Sequence, residues 1–95
     1  MDTSTPERIR AKCAEVAGML VEKNRSYGDS ALHPIGIFAK GQAADLIRVR
    51  IDDKLNRIMN APGAFGEDAI KDLIGYLILL QIAMEDSTVA TSEGN

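Results

Sequence analysis

The segment from Ile70 to Met84 is apolar on two sides, and this narrows the folds open to the chain more than any other feature. At helical spacing Ile70, Ile74, Leu77 and Met84 form one stripe. Gly75, Leu79 and Ile82 form another on roughly the opposite side. In a lone three-helix bundle each helix buries one face. A helix apolar on two sides therefore predicts further helices around it and places the segment in a subunit interface; the alternative is a loop that covers the second side. The size of the chain adds to the argument. Its 95 residues allow one small domain, and a domain of that size buries only about 60–65% of its unfolded surface. Such domains gain stability by assembling or by stapling. Stapling is closed to this one, because Cys13 is its single cysteine, and Cys13 with His33 is too small a set for a structural zinc site.

Three helices are expected. The first starts near Ser4–Pro6, where Ser4 and Glu7 have capping-box spacing and Pro6 suits the first turn. Its stripe is Ile9, Cys13, Val16, Ala17 and Leu20, which makes Cys13 a small buried hydrophobe, and it ends between Asn24 and Gly28. A loop from Arg25 to Lys40 follows, with a short helical turn expected over Ile35–Ala39 and with Ile35, Ile37 and Phe38 docking it on the bundle. The second helix runs from about Gln42 to Asn60, with Ala44, Ile47, Ile51, Leu55 and Ile58 on one face. Pro62 and Gly63 break the chain before the third helix, expected from Gly66 to about Met84. Residues 1–4 and 87–95 read as frayed tails around a core of about 5–86. The expected fold is a single all-α domain, a three-helix bundle with one extra helical turn, that forms a homo-oligomer through its third helix.

Charge and composition exclude several functions. The net charge is -3, the pI about 5.0 and the aromatic content 4% with no Trp. Long nucleic acids call for a basic domain and stacking platforms, and neither is present. The longest apolar run, Leu73–Met84, is interrupted by Gly75 and Gln81 and falls short of the ~20 residues of a membrane span. The first six residues lack the basic and apolar regions of a signal peptide. A soluble protein of the cytoplasm is expected, with no membrane partner.

Three clusters hold polar residues capable of chemistry. Lys23-Asn24-Arg25-Ser26-Tyr27-Gly28-Asp29-Ser30 packs cations, hydroxyls, an amide, a phenol and a glycine into one short stretch. Phosphate binding uses such donors, and a helix cap followed by a polar turn uses the same residues. On the second helix Arg48–Asp52 and Asp53–Arg57 have ion-pair spacing, as a solvated face would. Lys54 resists that reading, because it lies about 20° from Ile47 on the helical wheel, at the edge of the core face. Arg50 and Arg57 flank it and Asp53 borders the stripe. A lysine there must snorkel, pair with a carboxylate or hold an anion. The third cluster is Glu67, Asp68 and Asp72. Asp72 stands just before the most apolar stretch, where an acid needs a cation: Lys54, Arg50, Lys23 or magnesium. His33 has no sequence-near catalytic partner, and no Walker loop, dinucleotide fingerprint or nucleophile elbow is present.

The series Lys23-Asn24-x-x-Tyr27-Gly28-Asp29-Ser30, Arg50-x-Asp52-Asp53-Lys54-x-x-Arg57-Ile58 and Asp72-Leu73-x-x-Tyr76 resembles the small phage-encoded proteins called nucleotide modification associated domain proteins. These in turn look like distant relatives of the MazG-like all-α nucleoside triphosphate pyrophosphohydrolases. The resemblance covers about residues 7–85. It implies an oligomeric helical fold, a phosphate-rich nucleotide ligand and a phage origin, with the work done in the host cytoplasm. It carries over Lys23, Asn24, Tyr27, Gly28, Ser30, Asp53, Lys54 and Asp72.

MazG-like hydrolases hold magnesium with a Glu-x-x-Glu pair and a further acid pair. No Glu-x-x-Glu occurs here, and Ala69 stands three residues before Asp72. Three functions follow for test. In the first, Lys23, Arg50 and Lys54 hold phosphate, Ser26 or Ser30 adds hydrogen bonds, Tyr27 stacks on a base, and Asp53 or Asp72 orients the cations. The protein then sequesters a nucleotide immune signal or serves nucleotide metabolism without hydrolysis. In the second, Asp53, Asp68 and Asp72 hold magnesium in a nucleotide pyrophosphohydrolase. In the third, the chain is a protein-interaction module and its polar segments only cap and solubilise helices.

Overall fold

The computed structural model describes residues 4–36, 40–60 and 66–93. Among them the chain is all-α and has no strand, with α1 (Thr5–Ser26), α2 (Ala43–Asn60) and α3 (Gly66–Glu93). Most of the helical turn expected over Ile35–Ala39, and the break at Pro62 and Gly63, lie outside the described residues.

The local chemistry at the ends of α1 is as the sequence predicts. Ser4 caps the helix, its hydroxyl accepting the Glu7 N–H at 3.3 Å. At the other end Tyr27 N–H donates to the Lys23 carbonyl at 2.9 Å, and Asp29 N–H reaches back to the Asn24 carbonyl at 3.0 Å. Between them Gly28 has φ +62, the left-handed conformation that such a helix stop requires of its glycine. α3 departs from expectation by running on past Met84 to Glu93. No glycine or proline occurs between Gly75 and Gly94, so nothing in the backbone stops the helix there. The tail expected from Ser87 is therefore helical as far as Glu93.

α3 packs along α2 and is crossed by α1, while α1 and α2 do not pack on each other. The crossing uses Gly75, where an added Cβ would stand 3.2 Å from Leu20 Cδ1 and 3.6 Å from Met19 Cε. The buried apolar set is small: Val16, Ile47, Ala69 and Ala83. Cys13, expected in the core, is exposed, and so is Ile9 on the same stripe. Leu20 lies where α1 meets Gly75 of α3, and Ile9 and Cys13 stand two to three turns before it on α1. Leu55, placed on the core face of α2 by its spacing, is also exposed; it sits at the margin of the face centred on Ile47.

The two sides of α3 divide in a definite way. Gly75 and Leu79 turn toward α1. Ile70, Ile74, Leu77, Ile78, Ile82 and Met84 stay exposed, from 36% at Ile78 to 52% at Ile70. At 100° per residue Ile70, Ile74, Leu77, Ile78 and Met84 lie on the side away from Asp72, whereas Ile82 falls on the side of Gly75 and Leu79 and is exposed there. The dimensions agree with an unfinished core. The chain presents 7412 Å² of surface, against about 5,400 Å² for a compact monomer of this mass. Its radius of gyration is 15.7 Å, against about 12.4 Å. No helix among the described residues is long and apolar enough to cross a membrane.

This packing makes a direct prediction. Ile47→Ala removes the most enclosed side chain and costs about 2–4 kcal/mol in urea denaturation. Val49→Ala, on the outer side of the same helix, stays within about 0.5 kcal/mol of the parent.

Candidate functional site

Asp72 joins all three helices. Its Oδ1 accepts from Lys23 Nζ of α1 at 2.8 Å, and its Oδ2 lies 3.3 Å from Lys54 Nζ of α2. The Lys54 side chain is only 17% exposed and that of Asp72 22%. Of the ways to accommodate a lysine on the core face of α2, the structure shows the pairing with a carboxylate. Asp72 serves α3 in the same way, because its half-buried acid meets two ammonium groups.

Around this junction is a cavity of about 400 Å³. Lys23, Asn24, Tyr27, Ser30, Arg50, Lys54 and Asp72 line it, together with Met19, Leu20, Ala31, Gly75, Tyr76 and Leu79. Seven of the residues singled out in the sequence thus come together from three helices and the turn after α1. Each lysine ammonium has three N–H donors and spends one on Asp72, so both keep donors for the cavity. Arg50 forms no ion pair among the described residues, and its fork of donors is uncommitted. Both tyrosines of the chain, Tyr27 and Tyr76, stand on the wall.

Other expected site residues lie elsewhere. Arg25 turns to Glu22 at 3.2 Å, and Gly28 serves the helix stop. Ser26, Asp53 and Arg57 are exposed and do not line the cavity. The spacing pairs expected on α2 do not form; Arg48 meets Asp45 at 3.1 Å instead. Asp53 and Asp68 do not converge with Asp72 as a magnesium set would. Among the described residues no three His, Cys, Asp or Glu side chains gather as metal ligands, and both Asp72 oxygens face lysines. His33 Nε2 lies 3.3 Å from Asp29 Oδ2 in the turn, apart from the cavity. Met19 and Ala31 are the lining residues that the sequence did not single out, and Tyr76 appeared there only within the series that carries the resemblance. Tyr76 follows Asp72 by one helical turn, the spacing that could have placed it on the same wall.

The electrostatics follow from these contacts. Burial alone would raise the Asp72 carboxyl; the hydrogen bonds and charges of Lys23 and Lys54 outweigh it and hold the group below its usual range. The Lys23 ammonium is raised, chiefly by its hydrogen bond to Asp72. At the outer edge of the α1–α3 crossing, Glu15 accepts from Lys71 and Lys12, which lower it to about 2. Comparison with protein families, with curated proteins and with solved structures finds no match for this chain.

A pH dependence follows, with a definite sign. A carboxyl depressed by folding contributes stability that is complete above its unfolded pKa and is lost as pH falls through the folded one. Asp72 and Glu15 both act this way, so the urea midpoint falls below about pH 4. Asp72→Asn shows a smaller acid loss than the parent. Lys23 works in the opposite sense: its contribution holds below the ordinary lysine pKa and is lost as pH rises through its raised value.

Proposed function

We propose that this chain is a nucleotide-binding protein that holds the phosphate of its ligand in the cavity around Asp72 and does not cleave it. The observation that carries the reading is the convergence of Lys23, Arg50 and Lys54 on one cavity in a chain of net charge -3. Three cations gathered against the overall sign of a protein mark a place for an anion. Asp72 fixes the two lysines, Arg50 offers a bidentate grip, and Asn24 and Ser30 add neutral hydrogen bonds. Tyr27 and Tyr76 offer ring faces to a base. The dispersed acids argue against a site that activates water on magnesium. Within this reading the protein is phage-encoded and works in the host cytoplasm, where it withholds a nucleotide signal from host immunity or serves nucleotide metabolism.

The same reading includes assembly into a homo-oligomer through α3. A second copy of this chain is the occupant that suits the stripe of Ile70, Ile74, Leu77, Ile78 and Met84. The surface beyond that of a compact monomer is roughly 2,000 Å², more than the ~800 Å² per partner of a standard interface. The stripe lies opposite Asp72, so the copies meet behind the cavity and leave it open. Ile74→Glu with Leu77→Glu yields a monomer in sedimentation velocity, where the parent sediments as a multimer; a parent that sediments as a monomer contradicts the assembly.

Binding is tested by thermal shift against nucleotides, with the ligand recovered and analysed. Stabilisation with the nucleotide intact is expected, whereas release of pyrophosphate would favour the hydrolase. Arg50→Ala removes a cation that forms no ion pair or side-chain hydrogen bond among the described residues, so it weakens binding at least tenfold and leaves the melting temperature of the free protein within about 2 °C. Lys54→Ala abolishes binding and also lowers stability, because it leaves Asp72 with one partner.

A further inference from the structure

We infer that the ligand carries a single phosphate monoester, as in a nucleoside 5′-monophosphate, and binds without a metal ion. The inference rests on the phosphate reading above and narrows it. The cavity is lined by three cations, Lys23, Arg50 and Lys54, and by one carboxylate, Asp72. Against burial, the hydrogen bond between Asp72 and Lys23 holds the carboxyl below and the ammonium above their ordinary values. Two positive charges are left over. A phosphate monoester carries about -1.5 to -2 at pH 7 and has three strong acceptor oxygens. It matches that surplus in charge, and Lys23, Lys54 and Arg50 keep donors enough for all three of its oxygens.

The alternatives fit less well. A triphosphate brings about twice the charge and normally travels with magnesium, and the wall has one acid, already engaged with two lysines, to meet that ion. Without the metal, its outer phosphates would bring more negative charge than the three cations and one acid of the wall balance. A cyclic dinucleotide spreads single negative charges over two separated phosphodiesters, whereas the cations here gather at one junction. The size agrees as well, since about 400 Å³ lies near the small end of ligand cavities, which run from roughly 300 to 1,000 Å³. The nucleoside part has its own surface in Tyr27 and Tyr76, with Leu20 and Leu79 as apolar neighbours. Of the two roles left open above, this ligand suits nucleotide metabolism, in which an upstream reaction supplies a monophosphate and a downstream one consumes it.

Isothermal titration calorimetry of the full chain tests this, with and without EDTA. The probes are the 5′-monophosphates of adenosine, guanosine, cytidine and thymidine, their nucleosides and triphosphates, ribose 5-phosphate and a cyclic dinucleotide. At least one monophosphate is expected to bind ten times more tightly than its triphosphate and than ribose 5-phosphate, with no change on adding EDTA. Arg50→Ala lowers that affinity tenfold or more while the circular dichroism spectrum is unchanged. Tighter binding of a triphosphate or of the cyclic dinucleotide overturns the inference and leaves the broader nucleotide reading standing. Equal binding of ribose 5-phosphate overturns the nucleoside part. Binding of no nucleotide overturns both the inference and the reading it rests on.

Discussion

The Asp72 carboxylate is the contact on which the arrangement of this small protein depends. α1 and α2 do not pack on each other, yet each sends a lysine to the same acid of α3. Lys54 could not remain on the core face of α2 without a counter-charge, and Asp72 could not remain half-buried without donors. The pair therefore settles two polar burdens at one point and fixes how three helices converge. Buried ion pairs are weak sources of net stability and costly to break from one side. That asymmetry suits a device that specifies arrangement. It also concentrates cations, because the acid that satisfies the lysines leaves most of their donors unspent.

A second constraint works behind the site. Among the described residues the buried set of Val16, Ile47, Ala69 and Ala83 contains two alanines, which supply little hydrophobic stabilisation each. Small residues let the helices approach, as Gly75 does beneath Leu20, while Ile70, Ile74, Leu77, Ile78 and Met84 of α3 stay exposed. Thus one face of α3 closes on α1 and α2 around the charged junction, and the other is left for a further surface to cover. In the proposed reading, assembly and ligand binding would use opposite sides of one helix. Each can change without rebuilding the other.

Much of this was legible in residue spacing. Ser4 with Glu7 marked one end of α1 and Gly28 the other, and Lys54 stood out because a charge fell on an apolar face. Asp72 stood out for the same reason, and the pairing of the two was among the partners open to each. Spacing could not tell which stripe of α3 the chain itself covers, because both are equally apolar in sequence. The crossing of α1 decides it, and a crossing is a tertiary fact. Cys13 was misplaced for the same reason: it lies on the same stripe of α1 as Leu20, two turns before the crossing at Gly75. The extent of α3 past Met84 was misjudged because polar composition was taken for a helix end, although no residue there ends a helix. Arg25 and Ser26 were grouped with the site by nearness in sequence, and Asp53 and Arg57 by their place beside the Lys54 stripe; the cavity is narrower than either guide implied.

The chain thus builds a fixed, cation-rich junction on one side of α3 and leaves an aliphatic stripe on the other. The claim at the centre is that the junction is a phosphate site. A crystal structure of the full chain grown with a nucleoside 5′-monophosphate tests it most directly. The account predicts phosphate oxygens within hydrogen-bond distance of Lys23, Arg50 and Lys54, with Asp72 still bridging the two lysines. A nucleotide bound elsewhere on the molecule, with the three cations around Asp72 untouched, would contradict it.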